Sequence, residues 1–380
     1  MIVDKELLTE LKTIRQKIHA HPELSGEEKN TAHIVHEFLQ QCEPAKIYAK
    51  VGGNGIIAQF GQGNARPSLM FRADMDALPI EEVNTFDYRS TVQGVSHKCG
   101  HDGHTSILLG LARVLSQNPQ QKAKIFLLFQ PSEEDGRGAK AVIRDPVFSI
   151  VKPDFMYAFH NLPGFPLNDI IVKDNSFTAA VKSLVVKLNG KTAHAGEPEN
   201  GLNPAACIAE IILAAKEFSN NQPELSDFSL ITPIHIRMGE IAYGISAGEG
   251  EVHFTIRTWT QENMQKLAAQ LVDSTKTIAR RHKLSADFTW THEFAANEND
   301  TGAVENICRS AESLSLNINE RQHPFKWGED FGLFTQHIKG AMFGIGSGVK
   351  CPALHNPDYD FPDAIIATGI NMFYQIIQRH

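Results

Sequence analysis

The run Ile125-Phe126-Leu127-Leu128-Phe129 is apolar at every position. A strand with one wet face alternates polar and apolar side chains, so a strand without alternation is covered on both faces by helices. Similar runs stand at Ile56-Ile57-Ala58-Gln59-Phe60, Leu69-Met70-Phe71-Arg72 and Phe155-Met156-Tyr157-Ala158-Phe159. Helical patterns flank them. Leu7, Leu8, Leu11, Ile14 and Ile18 repeat at helical spacing until Pro22. A second helix runs through Phe38 and Leu39, with Ser25 and Glu28 reading as its capping box, and a third spans about Thr105 to Leu115. The expectation is an α/β core.

Polar clusters follow the strands. Asp74 and Asp76 come after the Leu69 run, Glu133-Glu134 after the Ile125 run, and His160 after the Phe155 run. Open α/β sheets keep their sites beyond the carboxyl ends of their strands, so these groups could meet in one crevice.

From about Phe177 the pattern changes. Strand, helix, strand, strand, helix, strand succeed one another (181–188, 203–218, 230–238, 252–256, 263–281 and 285–290). That order is the split βαβ arrangement of a small ferredoxin-like α+β sandwich. After about Glu293 the α/β pattern resumes, with a helix at Ala303 to Leu314, a strand at Ala341 to Ile345 and a closing helix from Asp363 to Gln378. The expected domains are therefore a discontinuous core, 1–177 with 293–380, and an inserted lid, 178–292.

A length of 380 residues suits two domains. The balance of 36 basic against 44 acidic residues, without a basic run, argues against nucleic acid or an anionic membrane as partner. No stretch approaches 18 apolar residues, and the start lacks a signal-peptide core. Five scattered cysteines suit a reducing, cytoplasmic setting better than a disulfide framework.

Chemistry concentrates in Cys99-Gly100-His101-Asp102-Gly103-His104, with Glu133-Glu134, His160 and His355 downstream. One thiol, three imidazoles and a carboxylate make a donor set sufficient for two transition-metal ions. A second carboxylate beside the first is what water activated by metal needs as its proton acceptor. Each residue also has a structural reading: Cys99 a buried thiol, Glu133-Glu134 a solvated turn, His160 and His355 satisfied turn histidines. Asp74, Asp76 and Asp102 are either partners that orient histidine ligands or strand-end and capping aspartates. His194, one of seventeen histidines, could polarise a substrate carbonyl from the lid or be a bystander. Arg257 and Lys98 are candidates to meet a substrate carboxylate. A peptidase acting on dipeptides or C-terminal residues, a catalytically silent metal- or ligand-binding protein, and an amidase with Cys99 as nucleophile are the rival readings.

Several segments resemble, in order and over nearly the whole chain, the aminoacylase and glutamate-carboxypeptidase-like metallohydrolases, in their amidohydrolase branch. They are His19-Ala20-His21-Pro22-Glu23-Leu24-Ser25, Arg72-Ala73-Asp74-Met75-Asp76-Ala77-Leu78-Pro79, His97 to Thr105, Phe129 to Glu134, His160-Asn161-Leu162-Pro163, Gly190 to Ala195, Trp327 to Phe331 and Leu354-His355-Asn356-Pro357. The resemblance implies a metallopeptidase-like α/β/α catalytic domain with an inserted lid that also mediates homodimers. It implies that Cys99, His101, Glu134, His160 and His355 bind two divalent ions (zinc, manganese, cobalt or nickel), and that Glu133 is general base and acid. It implies that His194 reaches the reacting carbonyl, and that the substrate is an N-acyl amino acid cleaved at its amide bond. The chain departs from the family pattern at Lys98, where a small residue is usual, at Pro198-Glu199 and Asn203-Pro204, and at Gly244-Ile245-Ser246-Ala247.

Overall fold

The structure, a computed structural model, describes residues 2–61, 67–119 and 123–380. Two compact units are present: Met1–Phe177 with Asn297–Gln322 and Glu329–His380, and Thr178–Ala296 with His323–Gly328.

The first unit is built on an eight-stranded sheet. Its order is Lys46–Val51, Gly55–Phe60, Lys124–Gln130, Ser68–Asp74, Phe155–Leu162, Lys339–Gly346, Ile170–Val172 and Ile318–Glu320. The four central strands run parallel, from Lys124–Gln130 across to Lys339–Gly346, and antiparallel strands flank them. Alternate residues such as Phe71, Leu127, Phe159 and Phe343 join a core with Leu11, Leu108, Ile370 and Phe373 from helices Lys5–Ala20, His101–Gln117 and Ile366–Arg379. The intervening Ile57, Met70, Phe126, Leu128, Met156 and Met342 are buried as well. Both sheet faces are therefore covered, as the unalternating runs require. Because the central strands are parallel, their carboxyl ends share one edge of the sheet.

Two helix details differ from expectation. The Lys29–Gln41 helix is capped by Glu23, whose carboxylate accepts the amides of Asn30 at 3.0 Å and Thr31 at 2.9 Å. Ser25 turns instead to Asp76, at 2.7 Å, and Glu28 is buried against the Ser132 amide at 2.8 Å. In Lys5–Ala20, capped by Asp4, the buried stripe carries Arg15 and His19 beside Leu7, Leu11 and Ile18.

In the second unit, the strands Ala180–Asn189, Ser229–Met238, Glu249–Thr258 and Ser285–Phe294 form an antiparallel sheet. Its order places Ser229–Met238 at one edge, and helices Ala205–Glu217 and Gln261–Arg281 pack on it. The core includes Leu184, Val186, Phe254, Ile211 and Leu271. A two-residue pairing of Ala193–His194 with Ile245–Ser246, too short for any periodicity, completes it.

Candidate metal centre

The shared edge of carboxyl ends in the first unit collects the polar residues. Asp74 ends one central strand and Asp76 follows it; Pro131 to Glu134 leave the next; His160 lies near the end of the third; and His355 sits in the loop after Lys339–Gly346. Cys99 and His101 bracket Gly100, at the start of His101–Gln117. Gly100 has φ of +97°, and a Cβ there would lie 2.7 Å from the Asn161 side chain, so only glycine lets the helix start this close.

Donor atoms of Cys99, His101 and His160 lie within 4.8 Å of one another, as do those of Cys99, Glu134 and His355, and those of His101, Glu133 and Glu134. The Cys99 Sγ stands 3.5 Å from His160 Nε2. His101 Nε2 is 3.7 Å from Glu134 Oε1 and 4.0 Å from Glu133 Oε2, and His355 Nε2 is 3.8 Å from Glu134 Oε2. The outer ring atoms fix the tautomers. His101 Nδ1 donates to Asp76 at 3.2 Å and His160 Nδ1 to the Asn161 carbonyl at 2.8 Å, so Nε2 is the atom that each ring turns to the cluster.

A second layer encloses Glu133. The buried Arg72 guanidinium meets Asp74 at 2.7 Å, Asp330 at 2.8 Å and Glu329 at 3.0 Å, and Gln130 holds Arg72 Nε at 3.0 Å. The Asp330 amide donates to Glu133 Oε1 at 3.3 Å. No role was expected of Arg72, Glu329 or Asp330. The available signal was an arginine inside an otherwise apolar strand, which demands buried carboxylates.

Carboxylates outnumber the cations here, Arg72 and His101. Asp74, Asp76, Glu133, Glu329 and Asp330 are buried. Burial, then Glu329 and Glu134, drives Glu133 well above the usual carboxylate range. Burial drives Glu134 to about 8 despite His101, and Asp330 to about 8 despite Arg72. Burial and then Glu134 push the Cys99 thiol up. Burial works against a charge on His101, yet Asp74, Asp76 and Glu134 hold it up to about 10. His101 Nε2 and Glu134 Oε1 are buried without a hydrogen-bond partner. Orphaned donors, excess carboxylates and a thiol beside imidazoles fit divalent transition-metal ions, whose arrival would displace the protons from Cys99, His101 and Glu134 and favour the ionised form of Glu133.

Other expected residues lie elsewhere. Asp102 faces Arg15 at 3.0 Å and His19 at 2.9 Å rather than a candidate ligand. Burial opposes its charge, but His19 and Arg15 hold its carboxyl below the usual range. Lys98 is not free for a substrate: its buried Nζ bonds Glu82 at 2.5 Å and the Tyr359 carbonyl at 2.8 Å. His104, of which no role was expected, sits between Asp74 Oδ1, at 2.5 Å, and Asn161 Oδ1. His194 belongs to the second unit, exposed, with Nδ1 accepting the Gly196 amide at 3.0 Å. Arg257, in the same unit, donates to the Lys326 carbonyl at 3.0 Å.

The sequence pattern of Peptidase family M20/M25/M40 matches residues 70–379. N-acetylcysteine deacetylase of Bacillus subtilis is 27% identical over 377 residues, covering 99% of this chain and 98% of the relative. Hippurate hydrolase of Campylobacter jejuni is 26% identical over 377 residues, covering 99% and 97%. Among solved structures, the Bacillus subtilis YXEP protein, described as a dinuclear metal binding peptidase from the M20 family, superposes with a TM-score of 0.84 at 25% identity, covering 98% of each chain. The α/β fold and the resemblance carried by the ordered motifs are thus borne out: the chain belongs to Peptidase family M20/M25/M40.

Proposed function

We propose that this chain is a dinuclear metal-dependent amidohydrolase that cleaves N-acyl amino acids at the amide bond, releasing acyl group and amino acid. The observation that carries the reading is the convergence of Cys99, His101, Glu134, His160 and His355 beside a separate buried carboxylate, Glu133. The relatives named for deacetylation of N-acetylcysteine and hydrolysis of hippurate support the substrate class.

The five converging residues would hold the two ions. Thiolate and imidazole suit zinc, and the carboxylate admits manganese, cobalt or nickel. When bound, the ions polarise the scissile carbonyl and ease deprotonation of water. Glu133 moves the proton. Its Oε1 is occupied by the Asp330 amide, so Oε2, beside His101, takes the proton from attacking water and returns it to the leaving nitrogen. Asp76 and the Asn161 carbonyl keep the His101 and His160 rings in the ligating tautomer. The resemblance gives His194 the role of donor to the carbonyl oxygen as charge develops there, and its Nδ1, which accepts the Gly196 amide, leaves Nε2 for that role.

The insertion serves as lid and as dimer contact. Its edge strand Ser229–Met238 exposes Ile234, Ile236 and Met238, and the following loop exposes Ile241 and Tyr243. An open, apolar strand edge of this kind pairs readily with a second copy. The five cysteines are free, which suits a reducing cytoplasm.

Amino-acid release from a panel of N-acyl amino acids tests the reading, with metal-stripped protein and protein resupplied with zinc, manganese, cobalt or nickel. Release that returns only with metal is expected. Activity undiminished by stripping would overturn it, as would turnover of dipeptides alone.

A further inference from the structure

The Cys99, His101 and His160 side chains are buried, and packing holds them where they stand. His355 is different. Its side chain is 53% exposed, so its position depends on the backbone of its loop. That backbone is strained: His355 has φ of +66°, a left-handed conformation that a residue with a Cβ keeps only when its surroundings over-determine it.

Lys98 supplies two of the contacts that hold this loop; the Val83 amide on the Pro357 carbonyl at 3.2 Å and Asn84 Nδ2 on the Tyr359 carbonyl at 3.3 Å supply others. The Lys98 carbonyl accepts the His355 amide at 2.8 Å. The Lys98 side chain, fully buried, donates from Nζ to the carbonyl of Tyr359 at 2.8 Å, four residues further along the same loop. Between these points the loop is tied to itself by Asn356 N to Ala353 O and Tyr359 N to Asn356 O, both 3.1 Å. Glu82 Oε1 anchors Nζ from the other side at 2.5 Å, and Glu82 is fixed in turn by His19 at 3.1 Å and the Ser90 amide at 2.6 Å. Any residue at position 98 supplies the carbonyl. A long donor side chain there adds the shorter of the two hydrogen bonds to the Tyr359 carbonyl, 2.8 Å against 3.3 Å from Asn84.

We propose that Lys98 is a positioning residue for His355: a two-point clamp on the His355 and Tyr359 backbones that keeps the half-exposed imidazole at Glu134 and so sets the affinity for one of the two ions. The inference rests on the reading of His355 as a ligand. Its consequence is selective. Removing the Lys98 side chain weakens the ion that uses His355 and leaves the ion held by buried residues alone.

The test is a stepwise cobalt titration of metal-stripped full-length protein, followed by visible absorption and calorimetry. Wild type is expected to take two ions per chain in two steps. Lys98→Met is expected to keep the first step and to weaken the second roughly 10–100-fold, the range seen when partners that orient a ligand are removed. Glu82→Gln keeps the bond from Nζ to Tyr359, so its second step is expected near that of wild type. The Lys98→Met/Glu82→Gln double variant, which buries no unpaired carboxylate, carries the same expectation as Lys98→Met and stands in if that variant does not fold.

Wild type taking fewer than two ions would overturn the ligand reading and the clamp with it. Two ions in wild type with an unchanged second step in Lys98→Met would overturn the clamp alone. Equal weakening in Glu82→Gln and Lys98→Met would also overturn it, because the effect would then belong to the buried ion pair.

Discussion

The Arg72 guanidinium and the Asp330 carboxylate meet at 2.8 Å across 258 positions of sequence. Through that contact a strand early in the chain and a loop near its end enclose Glu133, whose Oε1 accepts the amide of the same Asp330. Arg72→Met would leave Glu329 and Asp330 buried without their guanidinium and Asp74 with the His101 and His104 imidazoles alone. Breaking a buried ion pair from one side costs about 3–5 kcal/mol. Denaturant unfolding of the stripped protein should register a loss of that size, and a change below about 1 kcal/mol would show that the carboxylates find other partners.

Glu133→Gln should separate proton transfer from metal binding. Because Glu133 is outside the proposed ligand set, elemental analysis should find the metal content of wild type. Turnover should fall about 10²–10⁴-fold, the contribution of a positioned proton carrier. Wild-type turnover in this variant would remove Glu133 from its role.

The pair His19 and Glu82 has a definite dependence on pH. Burial disfavours a charged His19, but Asp102 and Glu82 raise it from 6.5 to about 9. Its contribution is therefore complete below about pH 6.5 and is lost as pH rises through 9. Burial likewise opposes the Glu82 charge, yet His19 and Lys98 lower it from 4.5 to about 2. That contribution is complete above about pH 4.5 and is lost as pH falls through 2. Stability from the pair should be greatest near pH 4.5–6.5. In His19→Gln the decline between pH 6.5 and 9 should flatten, by an amount on the order of 3 kcal/mol at full effect. An unflattened alkaline limb in equilibrium unfolding would assign that slope to other groups.

Placing a charge on the exposed edge strand tests the proposed dimer. Ile236→Asp should shift the protein toward monomer in sedimentation velocity, while the midpoint of thermal unfolding at low protein concentration stays near that of wild type. A monomeric wild type would dispose of the edge-strand contact.

The central strands were legible because runs such as Ile125–Phe129 are apolar throughout, and burial on both faces leaves no other pattern. Lys46–Val51 escaped because it lies at the sheet edge and is largely solvated, and Ile170–Val172 and Ile318–Glu320 because three residues carry no period. The helix cap misled for a local reason. The capping-box rule looks three residues along, whereas Glu23 reaches the Asn30 and Thr31 amides with a long side chain from outside the helix. Arg15 and His19 were invisible to a reading of apolar periodicity because they are polar residues on a buried stripe.

In the candidate site, the strand-end clusters named from spacing do lie together. Asp102 went astray because it neighbours His101 on a helix, where successive side chains point about 100° apart, so adjacency in sequence is not a shared face. The Lys98 contacts were hidden for another reason. Their partners, Glu82 and Tyr359, are ordinary loop residues whose role depends on tertiary placement alone.

The Phe155–Leu162 strand has Ser68–Asp74 on one side and Lys339–Gly346 on the other. A ribosome therefore delivers one neighbour well before that strand and the other long after it. Until residues 339–346 emerge, the growing chain carries a hydrophobic strand with one side unpaired, an arrangement that invites association with other chains. His355 leaves the ribosome later still. A nascent or prematurely terminated chain thus holds most of the candidate site's donors without the last of them, and the cell must protect an unpaired strand for about half the time it takes to make the protein.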